Sequence, residues 1–162
     1  MEFPTPFAVH AETVRPEWID YNGHMNVAYY VLVFDHATDA LFEALGLGPT
    51  YRHANDLTLF AVESHILYTR EVAQGDLLRV ESRVLGGDGK RLHFGHEMFH
   101  AAEGWRAATI ELMAVHVDLA TRRTSAFPPE RQQAIERAVA AHAALPAADW
   151  VGRHVSLTRH KR

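Results

Sequence analysis

The stretch Asp20-Tyr21-Asn22-Gly23-His24-Met25-Asn26 runs directly into an amphipathic segment, residues 27–45, and the reading of the chain turns on that junction. In the segment, apolar side chains at Val27, Ala28, Val31, Phe34, Leu41, Phe42 and Leu45 recur at three- and four-residue steps, while Asp35, Asp39 and Glu43 take other positions. This is the pattern of a long helix with one broad apolar face. Asn26 is placed to be its N-cap, Gly46 its C′ residue, and Pro49 stands just beyond. A helix start offers unpaired N–H groups and a partial positive charge, a cradle for a developing anion. A carboxylate beside it activates a water or attacks a carbonyl itself. The run therefore reads as an active-site loop, against the plainer reading of Asp20 as a turn or capping residue.

Around this junction the texture is that of strands. Residues 7–14 mix apolar and β-branched side chains and form a first strand, ended by Arg15-Pro16. Four more are expected at residues 57–72, 77–85, 91–101 and 105–118, separated by Gln74-Gly75-Asp76, by Gly86-Gly87-Asp88-Gly89 and by a short turn at Glu103-Gly104. Connections this short suit antiparallel neighbours. Pro128-Pro129 opens a last helix, residues 130–144, which Pro146 ends. The order predicts a single α+β domain over residues 1–162, one long helix packed in a curved antiparallel sheet of about five strands. Such a sheet leaves an edge to be covered, so a homodimer, or a dimer of dimers, is expected.

With 162 residues, 48% hydrophobic and 22% charged, the chain has material for a real core. A net charge of −4 argues against a nucleic-acid partner. The basic tail, Arg153-His154 through Arg159-His160-Lys161-Arg162, reads as a solvated terminus. The absence of cysteine excludes disulfides, thiolate metal sites and a cysteine nucleophile, and fits a reducing compartment. No secretory signal and no membrane-length apolar run is present, so a cytoplasmic location without a membrane partner is expected.

The pattern resembles the hotdog-fold thioesterases, in particular the 4-hydroxybenzoyl-CoA thioesterase-like family. Asp20-x-x-Gly23 followed by a helix looks like that family's catalytic loop. Asp20-x-Asn22-x-His24-x-Asn26 with Tyr30 is similar to the loop of plant acyl-carrier-protein thioesterases. Residues 62–68 and 71–76 look like the central strand and its exit turn. The resemblance spans residues 7–118 and implies an acyl-CoA thioesterase acting on a small or medium acyl group. It makes Asp20 the nucleophile or general base, the Val27 amide the oxyanion donor, and Asn22 and His24 orienting or loop-structuring groups. Gly23, Asn26, Tyr30 and Glu63 would contact substrate, with Glu63 and Glu71 as reserve carboxylates. Betainyl-CoA hydrolases are among the near resemblances, but Asn26-Val27 departs from them, and the acyl group is left unnamed. The rival readings are a hotdog dehydratase or hydratase and a non-catalytic acyl-CoA sensor.

Hydrolysis of a thioester needs a base or nucleophile and an oxyanion hole, so no cofactor and no metal is expected; coenzyme A enters as part of the substrate. Its phosphates call for basic partners, for which Lys90 and Arg91 beside the glycine-rich turn are the candidates, with Arg70 and Arg83 behind them. One competing motif is present: His96-Glu97-Met98-Phe99-His100 spells the zincin string HExxH. That string binds zinc only on a helix, and here the context is a strand, which would set the two imidazoles about 13 Å apart at ~3.3 Å per residue. The remaining histidines are scattered along the sequence.

Overall fold

The computed structural model describes residues 3–158. Strand β1 (Phe7–Thr13) leads through a short 3-10 turn into the Asp20 loop and then helix α1 (Val27–Ala44). A short helix α2 (Pro49–Asn55) comes next, then strands β2 (Leu57–Tyr68), β3 (Leu77–Gly87), β4 (Arg91–His100) and β5 (Arg106–Asp118). A two-residue β6 (Arg123–Thr124) and helix α3 (Pro129–His142) complete the order. The sheet runs β1-β3-β4-β5-β2, antiparallel throughout, with β6 added on β5. It wraps α1, whose Tyr30, Val33, Phe34, Ala37 and Leu41 are buried. This is the long helix in a curved sheet that the resemblance implies. None of the described helices is long and apolar enough to cross a membrane.

Two expectations are corrected. Strand β2 stops at Tyr68, not at residue 72, and it pairs with β5 across eleven register positions instead of with β3. The segment after it leaves the ladder: Thr69 and Arg70 both donate to the Ala107 carbonyl, and Val72 turns inward to 1% exposure. Its carbonyl accepts the Met25 N–H at 2.9 Å. The chain thus passes beneath the start of α1 to reach β3, and the strands are not a simple meander. The second correction is α2, where Pro49 opens a helix instead of only following one. Proline suits a first helical turn because its missing N–H has no intrahelical partner there.

Both ends of the sheet are treated differently. On β3, β1 covers the edge from Leu77 to Ser82 and α3 takes over beyond it, with Val84 N–H donating to His142 Nδ1 at 2.8 Å. A strand edge that would otherwise invite another chain is closed by a side chain. On the outer face, Trp150 is 1% exposed against Gly95. A Cβ at Gly95 would stand 2.4 Å from the Ile110 carbonyl oxygen and 2.5 Å from the Trp150 ring, so glycine is required by this close approach. Among the described residues no strand pairs with the outer edge of β2, which carries exposed Phe60 and Val62.

Candidate active site

The Asp20 loop is built from the backbone outward. Ile19 and Met25 form an antiparallel bridge, Asn26 N–H donates to the Trp18 carbonyl at 2.9 Å, and Asp20 N–H to the His24 carbonyl at 3.1 Å. The turn closes through Gly23 N–H to the Asp20 carbonyl at 3.0 Å, with Gly23 at φ +84°. That angle strains any side chain with a Cβ, which is why glycine stands there. Met25 is buried at 2% exposure and pins the loop to the core, while Trp18 stacks on Tyr29 at 5.4 Å.

The Asp20 carboxylate is half-buried and tethered at both oxygens. Oδ1 accepts the Asn22 N–H at 2.8 Å and Oδ2 accepts from Asn26 Nδ2 at 3.4 Å. Asn26 does double duty, since its Oδ1 also accepts the Ala28 N–H at 3.0 Å and so caps α1 as expected. The plain and functional readings of Asp20 therefore coexist: it forms the turn, and the turn aims it at the helix start. Val27 opens that helix and is exposed. Among the described residues no acceptor takes its N–H, one of the free amides every helix start leaves. His24 Nε2 lies 3.9 Å from Glu71 Oε2, which brings the reserve carboxylate Glu71 to the loop.

Other expected residues fall elsewhere. Tyr30 is buried in the core, its ring edge-on to Tyr68 and its hydroxyl 3.5 Å from the Arg70 carbonyl; burial pushes its phenol up from the ordinary value. Glu63 sits on β2 at the rim of a groove between β2 and α1 of about 540 Å³. Phe34, Asp35, Thr38, Asp39 and Phe42 line the helix side of this groove, and Arg52 stands at its α2 end. Asp39 is held above the usual carboxylate range, first by burial and then by the charge of Asp35. The signal was legible in the sequence: like charges four residues apart on a helix repel and need a reason.

Lys90 and Arg91 are at the β3–β4 tip, whereas the loop contacts the segment beside the far ends of those strands. The ten residues of β4 set the two about 30 Å apart at ~3.3 Å per residue. Arg91 is also already paired, its Nη2 2.6 Å from Asp88 Oδ2. Two residues stand closer: Tyr68, which the resemblance covered only as the end of the central strand, and Arg70, which the sequence placed behind that pair. The Tyr68 hydroxyl is 3.5 Å from the Val27 carbonyl oxygen, and the Arg70 guanidinium lies 4.0 Å over the Trp105 ring.

The HExxH string lies in β4, as expected for a strand. His96 is fully buried between Thr38 Oγ1 at 2.9 Å and Ser82 Oγ at 2.7 Å. Thr38 spends its own hydrogen on the Phe34 carbonyl, so the imidazole donates from Nε2 and accepts from Ser82 at Nδ1. Burial drives its pKa down to about 3, helped by the charge of His10. His100 is engaged separately, 3.5 Å from Asp76 and stacked on Trp105.

Against known proteins, a model described as the thioesterase-like superfamily matches residues 14–135. A betainyl-CoA thioesterase of Pseudomonas aeruginosa is 41% identical over 144 residues, 89% of this chain and 91% of that protein. A Staphylococcus aureus protein solved in complex with CoA superposes with a TM-score of 0.87 at 27% identity, covering 98% of this chain and all of that one. A proposed thioesterase from Pseudomonas putida gives a TM-score of 0.82 at 32% identity over 97% of this chain and 100% of its own.

Proposed function

The chain belongs to the thioesterase-like superfamily and is a thioester hydrolase; from that premise we propose that it hydrolyses a small acyl-CoA whose acyl group is positively charged, with Asp20 as general base. The observation that carries the reading is the tethered Asp20 carboxylate at the open start of α1. Both oxygens are hydrogen-bonded to the loop, which opposes the swing a nucleophile makes toward carbon and favours proton removal from a water. Water adds to the thioester carbonyl as its proton passes to Asp20, and the oxyanion forms at the Val27 N–H. The intermediate then collapses, breaking the C–S bond; Asp20 returns its proton to the CoA sulfur and the free acid leaves. One such amide typically contributes about 2.7–4 kcal/mol to the transition state.

The charge on the acyl group is supported by the relative that acts on betainyl-CoA and by the chemistry around the loop. Tyr68 offers a ring face and Glu71 a carboxylate near Val27 and His24, the pairing that holds quaternary ammonium groups. Arg70, two residues beyond Tyr68 on the segment that runs under the start of α1, is the guanidinium assigned to CoA phosphate. The working unit is a homodimer joined along the open edge of β2.

The test is thiol release from betainyl-CoA beside its neutral isostere, 3,3-dimethylbutyryl-CoA. Preference for the charged substrate supports the reading; equal kcat/KM removes the cation, and no cleavage of either removes the substrate class. Single turnover in H₂¹⁸O separates the roles of Asp20. A base places the label in the released acid, a nucleophile places it first in the protein.

A further inference from the structure

Edge strand β1 turns an unexpected face to α1. His10 and Glu12 are two residues apart, so they project to the same side of the strand. Here that side faces the helix, where an apolar pair would pack. His36 meets them from α1. Glu12 Oε2 lies 2.7 Å from His36 Nδ1 and 3.3 Å from His10 Nε2, and the three donor atoms all fall within 4.8 Å of one another. All three residues are half-buried. The other Glu12 oxygen accepts from Arg15 Nη2 at 3.0 Å. Burial pushes the Glu12 carboxyl up, but its hydrogen bonds to His36 and His10 and their charge outweigh this and hold it below the ordinary value.

We propose that His10 Nε2, His36 Nδ1 and Glu12 Oε2 bind a divalent cation of the zinc class that ties β1 to α1. Two imidazoles and one carboxylate suit zinc and its neighbours, and disfavour magnesium and calcium, which demand oxygen donors. A tetrahedral ion with bonds of about 2.0–2.1 Å places its donors roughly 3.3 Å apart, so the observed spacing reaches that geometry with movements below about 1 Å. The His36 side chain is 37% exposed, which leaves the cluster a path to solvent for a water as fourth ligand. From Val27 to His36 the helix rises about 13 Å, at ~1.5 Å per residue. The ion therefore has a structural role away from the reacting carbonyl: β1 ends in the turn that delivers the Asp20 loop, and fixing β1 fixes that approach. The inference is independent of the hydrolase reading.

Tag-free, chelator-treated protein is titrated at pH 7.5 with Zn²⁺ by calorimetry and with Co²⁺ by visible absorption. The expected result is one equivalent bound, four- or five-coordinate Co²⁺ bands, and a Tm raised by Zn²⁺ but not by Mg²⁺. His36→Ala and His10→Ala each weaken binding about 100-fold or more, since even an outer partner of a ligand is worth 10–100-fold. His53→Ala, exposed on α2, leaves it unchanged. Absence of an equivalent site, or a site retained in His36→Ala, overturns the proposal. If circular dichroism shows that His36→Ala is unfolded, Glu12→Gln replaces it, and binding retained there overturns it equally.

Discussion

Two polar constellations sit on the same helix and have opposite fates. At the start of α1, Asp20, Asn22, His24 and Asn26 stand in a loop open to solvent, their bonds mostly to one another and to backbone. Three turns along, His96, Ser82 and Thr38 are sealed between helix and sheet, each hydrogen-bonded to its neighbour. The contrast teaches that residue type does not assign chemistry. A histidine sealed from solvent with both nitrogens hydrogen-bonded is a neutral structural part, even inside a catalytic-looking string. A carboxylate that makes an ordinary turn becomes a candidate base when the turn ends at free helix amides.

The sharpest break in this comparison comes from Asp20→Asn, which keeps the turn but removes the base. It is expected to lower kcat/KM about 1000-fold, or ~4 kcal/mol, with Tm nearly unchanged. An unchanged kcat would return Asp20 to the role of a turn residue. His96→Ala should do the reverse. Loss of the ring leaves a cavity and an unpaired Ser82 hydroxyl, so denaturation should show a loss of about 2–4 kcal/mol while kcat of the folded protein stays within about twofold.

The same buried histidine makes stability fall in acid. His96 has a folded pKa of about 3, below the ordinary 6.5, because burial disfavours its charged form. It binds its proton in the unfolded chain first, so its contribution is complete above about 6.5 and is lost as pH falls from there toward 3, at up to ~1.4 kcal/mol per pH unit. His116 and His142, also lowered mainly by burial, act in the same direction. Urea midpoints between pH 7 and 4 should fall with this slope, and less steeply in His96→Ala.

Smaller still is Asn26→Ala. Removing the cap should cost about 1 kcal/mol of stability, and kcat should drop several-fold because Asp20 Oδ2 loses its tether. Last is Lys90→Ala, at the far tip of the sheet, for which KM should not change. Arg70→Ala should raise KM, and a KM rise with Lys90→Ala instead would move the CoA phosphates to the β3–β4 tip.

Much of the loop and of α1 was legible because their determinants are local. The 3.6-residue period, the Asn26 cap, Gly23 in its turn and the Gly46 stop each act within a few residues, and the helix ends where they say. Strand β4 was legible for the same reason, and with it the failure of HExxH as a metal motif. The partner of β2 was not legible: the punctuation after Tyr68 reads as a hairpin, and only the pull of Val72 into the core turns it into a crossover. The phosphate reading of Lys90 and Arg91 rested on composition at a turn, which carries no information about distance to the loop. Tyr68 entered only as the end of the 62–68 segment, with no role attached, and nothing local ranked Arg70 above the other arginines.

By itself the sequence determined the long helix, the capped loop with its carboxylate at the helix start, and the strand character of the segments beyond it, since each depends on neighbours in the chain. The tertiary structure alone decided that β2 closes on β5, that Asp35 and Asp39 line a groove, and that His10, Glu12 and His36 meet. Those outcomes depend on side chains brought together across a curved sheet, where burial and register act between residues that the sequence keeps far apart.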